Sequence, residues 1–229
     1  MLKQELCYDT IKIVANQNKT DNVSNIKFNM LSAWYELIYC ILAGTKVSTE
    51  IVHRSYSDLL CNAKSITFSH ICLYPELCKS KISLTLKISG YRFYQTKAET
   101  IVNAARFYLL HYAEILSMNK DKYEIRELLV DGVKGIGIKI SSHWLRNIGY
   151  QTPIIDIHVR RILYCGGFTN IDYRDNFSEK EYLVLENIMY DISKKINIPV
   201  SELDYALWLY GRNNCTNCTC SGCPIKNEK

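Results

Sequence analysis

Lys139 and Asp156 are the two side chains whose types and setting could carry out a reaction in this sequence. Lys139 ends the run Val133-Lys134-Gly135-Ile136-Gly137-Ile138-Lys139, and Asp156 ends Pro153-Ile154-Ile155-Asp156. A neutral amine can attack an electrophilic carbon and hold it as a Schiff base. A carboxylate beside it can accept the proton or steady a developing positive charge. Each residue also has an ordinary reading. A lysine in a helix's first turn is commonly solvated, and Asp156 stands directly before Ile157-His158-Val159-Arg160-Arg161-Ile162-Leu163, where it also reads as a helix N-cap. The combination of a Gly-x-Gly turn, a lysine just after it and an aspartate behind a proline turn is rarely assembled by chance.

Bringing the two together requires a tight turn and a helix of suitable length. Glu124 to Val130 reads as the end of one helix, Gly135 and Gly137 allow the positive φ and close backbone approach of a hairpin, and Ile140 to Ile148 restarts an amphipathic helix. The result is helix-hairpin-helix. Lys139 falls in the first turn of the second helix, where the positive end of the macrodipole disfavours an ammonium. That helix carries the chain roughly 15 Å away before Gly149 ends it. The extended piece Tyr150 to Ile155 spans about 20 Å, enough to return Asp156 beside Lys139.

The remaining chain reads as helix after helix. Thr96-x-x-Glu99, Asp121-x-x-Glu124 and Ser178-x-x-Glu181 have the form of capping boxes, and Pro75 suits a first helical turn. Trp34, Leu37, Ile38, Ile41 and Leu42 mark one buried stripe, and Ala98, Ile101, Val102, Ala105 and Leu109 another. Period-two strands are scarce, so the expected class is all-α: two packed helical lobes with the helix-hairpin-helix between them. One lobe is placed at 31–150, with its hairpin at 124–149. The second combines 1–30 with 157–210, and 211–229 forms a cysteine-rich tail. The N-terminal 30 residues are the least regular, with a loop expected over Asn16 to Asn25.

Composition restricts the function less. The 229 residues are 48% apolar, enough for a sizeable core in one domain or two closely packed lobes. Net charge is +5, from 28 basic against 23 acidic residues, with a pI of about 8.6. That favours anionic partners without identifying one. The N-terminus lacks a signal-peptide core and no stretch is apolar enough for a membrane span, so an intracellular protein of the cytoplasm or nucleoid, without a membrane partner, is expected. In that compartment Cys7, Cys40, Cys61, Cys72, Cys78 and Cys165 are expected to be reduced core thiols.

The segment Val133 to Leu163 resembles the helix-hairpin-helix DNA glycosylase superfamily, and VKGIGIKISSHWLRNIGY is most similar to the type 2 8-oxoguanine DNA glycosylase/AP lyases. Gly90-Tyr91-Arg92-Phe93, leading into Lys97-Ala98-Glu99-Thr100-Ile101-Val102, is similar to that family's GYRF stretch. Leu203-Asp204-Tyr205-Ala206-Leu207-Trp208 is similar to its final helix. The likeness runs over roughly residues 31 to 210. It implies a base-excision-repair enzyme acting, as a monomer, on damaged double-stranded DNA, with Lys139 as nucleophile and Asp156 assisting. Phe93 and Trp208 would wall the pocket for the extruded base. Backbone N–H groups at Gly135 and Gly137 would hold phosphate, with a monovalent cation at the hairpin. Arg92, His143 and Arg160 are candidate contacts to phosphate or to the residues that hold it, with solvated arginines and a satisfied histidine as the equal reading.

The chain departs from that pattern twice. Ala43-Gly44-Thr45-Lys46 stands where related glycosylases often place an asparagine or glutamine wedge, so Thr45, Lys46 or another residue fills the space of the lost base. The chain also continues past the tryptophan helix through Cys215, Cys218, Cys220 and Cys223. This C-x2-C-x-C-x2-C density suits a metal, a 4Fe-4S cluster ahead of zinc, with a disulfide or free thiols as the alternative. Gly211-Arg212-x-x-Cys215 and Cys220-x-x-Cys223-Pro224 resemble the cluster loop of endonuclease III and the adenine glycosylases, although the first gap is shorter and the fourth cysteine is missing. The rival readings are therefore an endonuclease III-like glycosylase/lyase for oxidised pyrimidines and, in another class, a non-catalytic DNA-binding, metal-sensing protein. Lys139 argues against an adenine glycosylase, since that monofunctional branch lacks the hairpin lysine.

Overall fold

Short polar side chains and glycines set the ends of the helices. The computed structural model describes residues 2–17, 29–44, 47–61, 63–117, 119–215 and 225, and they are all-α. The helices are α1 (Leu2–Gln17), α2 (Met30–Ala43), α3 (Thr49–Leu60), α4 (Phe68–Leu73), α5 (Pro75–Ile88), α6 (Tyr94–Leu116), α7 (Lys122–Gly132), α8 (Ile138–Asn147), α9 (Ile157–Cys165), α10 (Glu179–Ile196) and α11 (Val200–Asn213), with a 3-10 turn at Ala63–Ile66. Ser178 and Glu181 form the expected capping box on α10, Glu181 Oε2 accepting from Ser178 N at 2.7 Å. Asp121 caps α7 by accepting from Tyr123 N at 2.7 Å, and Pro75 opens α5. Thr96-x-x-Glu99 is not a cap. Helix α6 already begins at Tyr94 behind Phe93, so Thr96 is helical and its carbonyl accepts from Thr100 Oγ1 at 3.0 Å.

The elements gather into two compact units, Ile26–Tyr150 and Met1–Asn25 with Gln151–Lys229. In the first, Trp34, Leu37, Ile38, Ile41 and Leu42 of α2 are at most 1% exposed. Burying each such side chain stabilises the fold by about 1.5–3 kcal/mol. The two deepest indoles also tie elements together: Trp34 Nε1 donates to Ile66 O at 2.8 Å, and Trp144 Nε1 of α8 donates to Ala33 O at 2.9 Å. Left unpaired, a buried N–H of this kind would cost about 1–3 kcal/mol. On α6 the buried stripe is Ala98, Ile101, Ala105 and Tyr108, and Leu109 is 41% exposed. One helical position turns the side chain by about 100°, which carries Leu109 off the face that Tyr108 buries. The helix-hairpin-helix, α7 to α8, lies within this unit.

The second unit is formed from α1, α9, α10 and α11. Helices α9 and α11 approach so closely that a Cβ on Gly211 would stand 3.0 Å from His158 Cβ and 3.1 Å from Ile162 Cδ1. Only glycine fits there without displacement. Arg161 Nη2 reinforces the crossing, donating to Gly211 O at 2.8 Å and to His158 Nδ1 at 3.0 Å. The segment before α9 is held extended by Tyr182 of α10. Its hydroxyl donates to Pro153 O and accepts from Ile155 N, both at 3.3 Å. Two of the expected reduced core thiols differ: Cys61 is exposed at the end of α3, and Cys165 is disulfide-bonded at the end of α9.

Candidate functional site

The hairpin is shaped by two glycines in different backbone states. Gly135 takes φ +96°, the left-handed region that favours glycine, and Ile136 N donates to Val133 O at 3.0 Å to close the turn. A Cβ on Gly135 would also come within 2.4 Å of Thr100 Oγ1, so α6 packs directly on the turn. Gly137 has a different role from the one expected. Its φ of −108° and ψ of −180° are extended backbone open to any residue, and a Cβ there would meet nothing within 4 Å. Gly137 is the N-cap of α8 and offers no side-chain oxygen to its first turn. The orphan N–H groups of that turn receive no acceptor from the N-cap side chain, and they carry the positive end of the macrodipole. Lys139 stands on the same turn, half-buried.

Two neighbouring segments converge on this end of α8. Gly44, after α2, faces Ile140: a Cβ would come to 2.4 Å from Ile140 Cγ1. Tyr91 of the GYRF stretch is buried and donates from its hydroxyl to Leu42 O at 2.5 Å, fixing that stretch to the C-terminal end of α2. Phe93 follows, 37% exposed, with the Arg92 guanidinium 4.3 Å from its ring centroid. The hairpin, the end of α2 and the GYRF turn thus form one face of the Ile26–Tyr150 unit. His143, one turn beyond Lys139, packs edge-on against Tyr39 with centroids 6.1 Å apart. Burial, then the charges of Arg146 and Lys139, push its imidazole down to about 3, so it is neutral at pH 7 and brings no charge to a phosphate. Thr45 and Lys46, the wedge candidates, lie outside the described residues.

The remaining candidates belong to the other unit. Asp156 is the N-cap of α9, its Oδ1 accepting from His158 N at 2.9 Å and Val159 N at 3.0 Å. The ordinary reading of this residue therefore holds, and it leaves Oδ2 without a bond among the described residues. Capping and chemistry are compatible, because the two N–H bonds orient the carboxylate and its second oxygen remains available. Trp208 on α11 is half-buried, beside Tyr205 at 5.8 Å and under the Arg212 guanidinium at 5.3 Å. Arg160 is committed within its own unit: 7% exposed, it lies 4.1 Å from the Phe177 ring centroid and donates to Asp172 O and Asp175 O at 2.9 and 3.1 Å. It holds the loop before α10. Cys215 is buried after α11, while Cys218, Cys220 and Cys223 lie outside the described residues.

The glycine hairpin, the uncapped helix behind it and the amine on its first turn define a helix-hairpin-helix protein with the means for amine chemistry. The family model described as 8-oxoguanine DNA glycosylase matches residues 16–198, and the chain belongs to that family. The 8-oxoguanine DNA glycosylase/AP lyase of Methanocaldococcus jannaschii is 39% identical over 133 residues, an alignment covering 58% of this chain and 63% of that relative's length. The enzyme of the same description from Sulfurisphaera tokodaii is 31% identical over 185 residues, covering 80% of this chain and 83% of the relative. The crystal structure of the M. jannaschii 8-oxoguanine DNA glycosylase matches with a TM-score of 0.69 and 32% identity, covering 92% of both chains. The same organism's enzyme in complex with a 15mer DNA containing 8-oxoguanine matches with a TM-score of 0.66, covering 88% of both.

Proposed function

We propose that this protein is a bifunctional DNA glycosylase and AP lyase that removes 8-oxoguanine from duplex DNA. The observation that carries the reading is Lys139 on the first turn of an uncapped helix behind a Gly-x-Gly hairpin, in a chain of the 8-oxoguanine glycosylase family. The hairpin N–H groups grip a backbone phosphate without reading sequence, and the target nucleotide is flipped from the stack. The neutral Lys139 amine attacks C1′ of the deoxyribose and the bond from C1′ to the base nitrogen breaks. The base leaves with the bonding electrons and takes up a proton. The resulting secondary ammonium loses one proton, and the nitrogen lone pair then forms the C1′=N bond of a Schiff base as the C1′–O4′ bond breaks and O4′ takes up a proton to become a hydroxyl. Removal of a C2′ proton expels the 3′ phosphate and cuts the strand. Asp156 carries negative charge toward the cation that develops on the sugar and receives the amine proton. Phe93 and Trp208 stack on the extruded base.

Borohydride trapping on duplexes containing 8-oxoguanine, thymine glycol, uracil or an abasic site tests this directly. Covalent complex with the 8-oxoguanine duplex, lost in Lys139→Gln, is the expected result. Trapping of the abasic duplex alone would remove the glycosylase half of the reading, and preferential trapping of thymine glycol would favour the oxidised-pyrimidine alternative. Equal cleavage by wild type and Lys139→Gln would remove the lysine mechanism. The cysteine tail is proposed as a separate structural metal site anchored by buried Cys215, with a 4Fe-4S cluster favoured over zinc, and iron, sulfide and zinc analysis of the purified protein decides it. A monovalent cation at the hairpin is proposed on the family resemblance alone.

A further inference from the structure

Lys97 is the one lysine among the described residues that the fold buries, at 5% exposure. No hydrogen bond or ion pair holds its ammonium among the described residues. Burial alone shifts its titration, down to about 8, with no carboxylate contributing. It also sits in the first turns of α6, where the macrodipole opposes a positive charge. A methionine would fill the same space without desolvating an ammonium. No side chain among the described residues repays the arrangement, and the Nζ atom is not itself fully enclosed, so an anion from solvent can reach it.

The register of α6 shows where it would arrive. Phe107 crowds Gly132, whose Cβ would lie 2.9 Å from its ring, and Thr100 crowds Gly135. Later residues of α6 therefore meet earlier residues of the α7 hairpin. Lys97 lies on the same stripe one helical turn before Thr100, level with the chain just past Gly135, where Gly137 opens α8. Side chains on a helix lean toward its N-terminus, which for Lys97 is the end of α6 that follows the GYRF turn. This register places Lys97 on the side of α6 that packs on the hairpin, next to the start of α8.

We propose that Lys97 is a phosphate ligand of the DNA-binding face, completing with the open N-terminus of α8 a two-part site for one backbone phosphate. The inference rests on the reading of this face as the one that meets DNA. It adds a point charge to dipolar N–H donors, and it assigns to a buried residue a contact normally given by surface lysines and arginines.

The test is the salt dependence of binding to a duplex carrying a tetrahydrofuran abasic analogue, which the lyase cannot cut. Each phosphate neutralised by a cationic side chain contributes about 0.9 to the slope of log affinity against log salt. Lys97→Met and Lys97→Gln should each lower that slope by about 0.9 while Lys97→Arg preserves it. Between 50 and 200 mM salt, the affinity of the Met and Gln variants would then fall about 3.5-fold less than that of wild type, a fourfold salt change raised to that power. An unchanged slope in whichever of the two uncharged variants folds overturns the proposal, because a lysine buried only for packing makes no counterion-releasing contact. Wild-type protein without salt-dependent binding would instead remove the DNA-binding reading itself.

Discussion

Helices α8 and α9 begin in opposite ways, although each start holds one of the two residues to which the proposed chemistry is assigned. At α9, Asp156 closes its own helix end by accepting from His158 N and Val159 N. At α8, Gly137 offers no side chain and nothing stands where a Cβ would be. The carboxylate is positioned by its bonds to the helix it caps. The amine rises from a helix whose end is left unsatisfied, in a form suited to an incoming anion. Orienting an acid or base favours a closed cap, whereas gripping a substrate phosphate favours an open one.

Four substitutions break or sharpen that contrast. The largest effect is expected for Lys139→Gln, which removes the proposed nucleophile. Strand cleavage and borohydride trapping should fall by about 10⁴-fold or more, with affinity for the abasic analogue retained. Asp156→Asn comes next, because asparagine caps as well as aspartate and carries no charge. Single-turnover base release should fall by about 10²–10³-fold with melting unchanged. Asp156→Ala should add a stability loss of about 1 kcal/mol, read by urea denaturation, for the missing cap. Closing α8 in the manner of α9 by Gly137→Asp should alter stability by only a few tenths of a kcal/mol. The same change should weaken DNA binding by about 10-fold, since a fixed carboxylate then occupies the N–H groups meant for phosphate. A Gly137→Asp protein that binds DNA like wild type would show that the open end has no such role.

The smallest effect concerns Lys97. Its folded value of about 8 lies below the ordinary 10.5, so between those values the unfolded chain binds more protons and stability rises with pH. Below pH 8 the buried ammonium is a standing cost to the free protein. Lys97→Met should therefore melt about 3 °C higher than wild type at pH 7, and the gap should narrow as the pH is raised toward 10. A gap constant from pH 7 to 10 would show that the ammonium is not the cause.

Much of the fold was legible where a single short-range interaction decides the outcome. Ser178 with Glu181, Asp121 before Lys122 and Pro75 before Glu76 each set a helix start through bonds or dihedrals spanning one turn. Thr96 with Glu99 has the same pattern and fails, because whether a Ser or Thr is a cap or already helical depends on where the preceding chain is held. Here Tyr91, buried and bonded to Leu42 O, fixes the turn and lets α6 begin at Tyr94. Leu109 was misplaced for a related reason. A 23-residue helix packed on several neighbours buries more than one stripe, and periodicity alone does not say which apolar residue falls outside them all.

The candidate site divides along the same line. The positive φ at Gly135, the helix after it and the place of Lys139 on its first turn follow from local backbone preferences, which is why they could be read from residue types and spacing. The cap at Asp156 is equally local. What the charged side chains do was decided only by tertiary structure, because an arginine or lysine reaches partners that the spacing does not reveal. Arg160 read equally as a phosphate or supporting contact and as a solvated arginine, and it is spent on the carbonyls of Asp172 and Asp175. Lys97, which the sequence marks only as part of the helix after GYRF, is buried without a counter-ion among the described residues. Backbone geometry is a property of a few consecutive residues, whereas the environment of a charge is a sum over everything the fold brings around it.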